Sequence, residues 1–136
     1  MRRFRAAQAV LVLAVGSALW AQAMTPAPVF LTCVAAPGVP EAPQLALCDA
    51  LADELRQANP DRPVERSGAA PEGAMSVVLT VTQALPQQIT ADLAWQDGTA
   101  RGSAPPLSLS VVDTVLKQSM YGQLVQALIK QSGLPD

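Results

Sequence analysis

Met75, Val77, Leu79 and Val81 alternate with Ser76, Val78, Thr80 and Thr82, and nothing else in the chain restricts its fold as much. After a turn at Leu85-Pro86-Gln87 the alternation resumes, with Ile89, Ala91, Leu93 and Trp95 set against Thr90, Asp92, Ala94 and Gln96. A two-residue period puts every second side chain on one face of a strand. The two runs therefore predict an antiparallel pair with one face buried and a Thr-rich face toward water. Asp97-Gly98 suits a two-residue hairpin turn, because both positions tolerate positive φ. A third meander strand, about Thr99 to Ala104, is expected to return beside the second, with Pro105-Pro106 interrupting the ladder and Leu107, Leu109 and Val111 leading on in extended form.

Two amphipathic helices flank this meander. Val29 to Ala35 reads as a first strand, followed by the breaker-rich loop Pro37-Gly38-Val39-Pro40. A helix is expected from near Pro43 to Asn59-Pro60, since Pro is tolerated in a first turn. Leu45, Cys48, Leu51, Ala52, Leu55 and Ala58 form its apolar stripe. Val64 to Ser67 reads as a short edge strand after Pro63, and Ser67 to Gly73 as a loop. Ser110-Val111-Val112-Asp113 fits a capping box opening the second helix. That helix carries Val115, Leu116, Met120, Leu124 and Leu128, widened by Tyr121, Val125 and Ile129, and stops at Gly133 and Pro135. The expected fold is α+β: a two-layer sandwich of order β-α-β-β-β-β-α, with a mixed, mostly antiparallel sheet of four or five strands. Both helices should cover the Val77/Leu79/Leu93/Trp95 face, because each needs an apolar surface and one face of the sheet offers it.

The amino terminus reads as an export signal. Arg2, Arg3 and Arg5 precede an uncharged run from Ala6 to Leu19, and Ala21-Gln22-Ala23 is a small-x-small cleavage pattern. The run is shorter than the roughly 20 residues needed to span a bilayer, so the reading is cleavage and no stable membrane insertion. Residues 24–136 would then form one domain, with 24–28 a Pro-containing lead-in, in the periplasm or outside the cell. In that oxidising setting Cys33 and Cys48, the two cysteines of the chain, are expected to be bridged. Cys33 lies roughly 10 Å before the end of its strand at ~3.3 Å per residue, and Cys48 roughly 8 Å into a helix running back at ~1.5 Å per residue, so the sulfurs come level.

Charge and composition narrow the function. Without Arg2, Arg3 and Arg5, the 9 basic residues fall to 6 against 11 acidic ones, a net charge of about -5. Such a surface disfavours nucleic acid and anionic lipid, whose binding rests on Lys and Arg. Arg56, Arg62 and Arg66 form only a loose trio. The chain has no histidine, which removes the commonest general base and metal ligand. No motif calls for a cofactor or metal. Asp49, Asp53 and Glu54 share a helix surface and read as a solvated acidic face.

The expectation is accordingly a non-catalytic domain that binds an envelope protein or assists an assembly. Its contact surface is sought at Trp95, Tyr121, Thr80, Thr82 and Thr90, or at a strand edge open to an added strand. Element order and the final amphipathic helix ending in Gly133 resemble the amino-terminal domain of the periplasmic Tol-system propeller protein and related outer-membrane assembly factors, which implies work through protein contacts. The alternatives are a small cell-wall polysaccharide enzyme using Asp49 with Asp53 or Asp92, and a carrier holding a small ligand between helices and sheet. The sequence leaves open the oligomeric state and the identity of any partner.

Overall fold

The computed structural model describes residues 27–66 and 69–135. The expected signal segment 1–23, and residues 24–26 of the lead-in, lie outside the described residues. The chain forms β1 (Val29–Ala35), α1 (Glu41–Ala58), β2 (Val64–Glu65), β3 (Met75–Leu85), β4 (Gln88–Asp97), β5 (Ala100–Ser110), a 3₁₀ turn at Gln118–Met120 and α2 (Tyr121–Ser132). The strands make one sheet in the order β2-β1-β3-β4-β5. β1 is parallel to both β2 and β3, while β3, β4 and β5 form an antiparallel meander. The fold is α+β with a mixed open sheet and two helices.

The two-residue period of the sequence is realised as predicted. Met75, Val77, Leu79, Val81, Ile89, Ala91 and Leu93 are buried and join Val29, Leu31 and Ala104 in the core. α1 lies over β1 and its neighbours and α2 over β4 and β5, so both helices cover this face side by side. α1 contributes Leu47, Cys48, Leu51 and Ala52, and α2 contributes Leu124, Val125 and Leu128. Cys33 and Cys48 are disulfide-bonded, with Cα atoms 6.1 Å apart, and tie β1 to the helix behind it.

Four expectations are corrected. α1 opens at Glu41, two residues before Pro43, which is accommodated because the first four helical N–H groups have no intrahelical partner. Leu45 is 46% exposed while Leu47 is fully buried. The center of the helix face at that level belongs to Gln44, whose Nε2 donates to the Cys33 carbonyl at 3.3 Å.

Pro105-Pro106 does not end the ladder. Ala104 pairs with Leu93 and Leu107 with Ala91, so the two prolines together oppose Asp92 as a bulge. An edge strand accepts them because no further strand asks for their missing N–H groups. The extra residue also turns Leu107 and Leu109 to the helix side.

Finally, Ser110–Asp113 does not cap a helix. Val111 N–H donates to the Gln87 carbonyl at 3.0 Å and Leu116 N–H to the Pro86 carbonyl at 2.8 Å, which straps this segment to the β3–β4 turn. Asp113 sits at φ 63°, a left-handed conformation no helix continues through. Val112 and Val115 are exposed, and α2 starts only at Tyr121.

Candidate functional site

The two ends of the sheet order leave different backbone exposed. β5 is the last strand on its side, and Ser108 and Ser110 are solvent-exposed along it. The Val111-to-Gln87 hydrogen bond continues the register that pairs Ser110 with Gln88 and Leu109 with Ile89. Antiparallel alternation then points the N–H and C=O of Leu107 and Leu109 toward β4, and those of Ser108 and Ser110 away from the sheet. On the open face, the Thr90 and Ser108 hydroxyls meet at 2.7 Å, as expected of a pair whose side chains approach closely.

A groove of about 370 Å³ runs along this edge, with Leu107, Ser108 and Leu109 as one wall and Gln123, Leu124, Ala127 and Gln131 of α2 as the other. Its floor is apolar and its rim is amide and hydroxyl. An added strand would find hydrogen-bonding groups on β5 and, for every second side chain, an apolar slot beneath α2. The sequence offers a signal for this site, the Leu107/Leu109 alternation beyond the prolines, but no means of knowing that the strand is an edge.

The flank is held in place from its far end. Trp95 is half-buried on the core face and its Nε1 donates to the Ser132 carbonyl at 2.9 Å, joining β4 to the end of α2. Gly102 lies directly across from Trp95 on β5. A Cβ there would come within 2.5 Å of the Ser132 carbonyl oxygen and 2.6 Å of Trp95 Nε1, so only glycine leaves room for the indole. Tyr121 is 8% exposed and packs into the core at the start of α2. Trp95 and Tyr121 are thus both turned inward, and the structure does not bring them together as an exposed pair.

The threonines sit on the other face. Thr80 and Thr90 are half-buried there and Thr82 is exposed, with its hydroxyl donating to the Thr90 carbonyl at 3.3 Å. Thr82 is the extra residue of a second bulge, where β3 slips by one position between Val81 and Gln83. Nearer the Asp97-Gly98 turn, this open face carries a shallow hollow of about 500 Å³ over Ser76, Val78, Ala94, Gln96, Arg101 and Ser103.

The acidic face of α1 is engaged locally. Asp49 pairs with Arg66, Asp53 with Arg56 at 3.3 Å, and Glu54 accepts from Gln126 Nε2 of α2 at 3.1 Å. These groups are exposed or half-exposed on the outer side of the helix, away from any of the hollows described above. No group of three His, Cys, Asp or Glu side chains able to hold a metal occurs among the described residues. No helix among them is long and apolar enough to cross a membrane.

No protein-family model matches the chain, and no curated protein does either. A solved structure described as that of an uncharacterized protein is similar in fold, with a TM-score of 0.50 and 14% sequence identity over 81% of this chain and 89% of that one. At that identity the likeness shows the fold alone.

Proposed function

We propose that this chain is an exported, non-catalytic binding domain that acts through protein contacts in the bacterial envelope, by accepting an extended segment of a partner beside β5. The observation that carries the reading is the outward-facing backbone of Ser108 and Ser110 above an apolar groove. Main-chain hydrogen bonds would supply affinity and the groove would select side chains. The disulfide supports export, because such bonds persist in oxidising compartments. The basic, apolar and small-residue order of residues 2–23 supports it independently. Against a carboxylate enzyme stands the placement of Asp49 and Asp53, each beside its own arginine on a solvent-facing helix surface.

The test is capture of envelope proteins by the mature domain and by its S108P variant. Proline at 108 removes an outward N–H and leaves every N–H directed at β4 in place. The expected result is a defined partner set recovered by the parent domain and lost with S108P. Equal recovery by both, or no recovery above background, would remove the β5 edge as the working surface.

A further inference from the structure

The free stretch of β5 is bounded on both sides. Pro106, which has no N–H, closes it at one end, and beyond Val111 the chain is strapped to the β3–β4 turn by the hydrogen bond from Leu116 N–H to the Pro86 carbonyl. What lies between, Leu107-Ser108-Leu109-Ser110-Val111, has the same apolar and polar pattern in both directions. Leu107, Leu109 and Val111 are half-buried and alternate with the exposed Ser108 and Ser110. Such a segment matches itself when run antiparallel. The usual protections of an edge, a charged side chain or a proline at an outward position, are absent from this stretch. No charged side chain lines the groove beside it. The carboxylate of Asp92 lies opposite the proline bulge, outside the stretch. Two copies of an acidic domain can therefore meet here without setting like charges directly against each other.

We infer that β5 pairs antiparallel with β5 of a second copy of this chain, about a two-fold axis through Leu109; the inference rests on the reading of this edge as the docking surface. The register follows from the groups available. With Leu109 opposite Leu109, Ser108 of each copy faces Ser110 of the other, and each such pair exchanges two main-chain hydrogen bonds. Every outward N–H and C=O of the stretch is then used, and a shift of register in either direction leaves some of them unpaired. On the helix side Leu109 meets Leu109 and Leu107 meets Val111, in the slot beside Leu124 and Ala127. On the open face the hydroxyl contact between Thr90 and Ser108 extends to Ser110 of the other copy. The contact uses the same surface on both copies and so closes at a dimer. A foreign segment must displace the second copy, which keeps the edge covered until a better match arrives.

Analytical ultracentrifugation of the mature domain from about 10 µM to about 1 mM, a range suited to so short a contact, tests this directly. A monomer–dimer equilibrium with no larger species is expected. S108P and S110P each remove one outward N–H from both copies and should weaken the association at least about tenfold. Because Cys33 and Cys48 are bonded to each other, a cysteine introduced at 109 is the one free thiol of the chain, and L109C keeps the test independent of either proline. L109C should cross-link two copies under mild oxidation, and S108C, whose counterpart in the other copy is displaced along the strand, should do so far more slowly. A parent domain that stays monomeric at about 1 mM, association unchanged in both proline variants, or S108C cross-linking as fast as L109C overturns the inference. Loss of partner capture in S108P by a domain that is monomeric throughout leaves the docking edge standing and removes the self-pairing. No effect of S108P on either capture or association removes both.

Discussion

At one edge the sheet stops after Val64 and Glu65, directly behind Pro63, whereas at the other it continues for 11 residues from Ala100 to Ser110. The β2 edge is short, leads with a residue that lacks an N–H, and adjoins a helix anchored to β1 by the Cys33–Cys48 bond. A short strand and a proline are common ways of keeping an edge from pairing with another chain. The β5 edge carries prolines too, but they sit in a bulge and leave the Leu107–Ser110 stretch free above a groove. The β2 edge is only partly closed, since Leu31–Ala35 of β1 have no strand partner beyond it and the Cys33 carbonyl there is taken by Gln44 of α1. At β5 the part left open is the one with an apolar slot beside it.

Four perturbations sharpen or break this contrast. Replacing both cysteines with alanine should have the largest effect, a loss of about 3 kcal/mol in the chain-entropy picture, read as a lower midpoint in urea denaturation. The S108P effect on partner capture should survive that change, and its disappearance would mean that the two edges are not independent. On the other flank, G102A forces the Trp95 indole or the end of α2 to move, at a cost of about 1–3 kcal/mol for overpacking. A shift in the tryptophan emission of the mature domain should accompany it, and an unchanged spectrum with unchanged stability would contradict the Trp95–Ser132 hydrogen bond.

Proline scanning along β5 distinguishes the strand's two sides. L109P removes an N–H directed at β4 together with a side chain packed against the core and should cost at least about 2 kcal/mol, while S108P should stay within about 0.5 kcal/mol, both by thermal denaturation. Equal costs would show that the alternation assigned to this strand is wrong. The smallest effect belongs to D49N. Breaking the exposed Arg66 pair should cost about 0.2–1 kcal/mol and vanish at high salt, with no change in binding at β5.

Rise per residue along one strand, one helix and the reversal between them sets Cys33 level with Cys48, and the bond is present. The β3 and β4 core faces were equally legible, because a two-residue period leaves no alternative arrangement of Val77, Leu79, Leu93 and their neighbours. Helix phase was less so. Leu45 fits an i, i+3 stripe as well as Leu47 fits its own, and only packing against β1 shows which one is inside.

The second helix start was misplaced for a related reason. Ser110–Asp113 has the composition of a capping box, but hydrogen bonds to Pro86 and Gln87, distant in sequence, take up the amides that a helix would have used. The groove at β5 was only partly visible. Its apolar residues alternate in plain sight, yet their value depends on what lies beside them.

Residues considered singly and in short windows were enough to determine β3 and β4, the presence of two helices, the cross-link and the side of the sheet that becomes core, since each follows from local periodicity and chain reach. Tertiary structure alone decided that β1 is internal and β5 terminal, that a proline pair lies in a bulge, and that an apolar groove lies beside the free backbone of Ser108 and Ser110. Those properties depend on which segments become neighbours, and neighbours far apart in the chain are selected by the packing of the whole core.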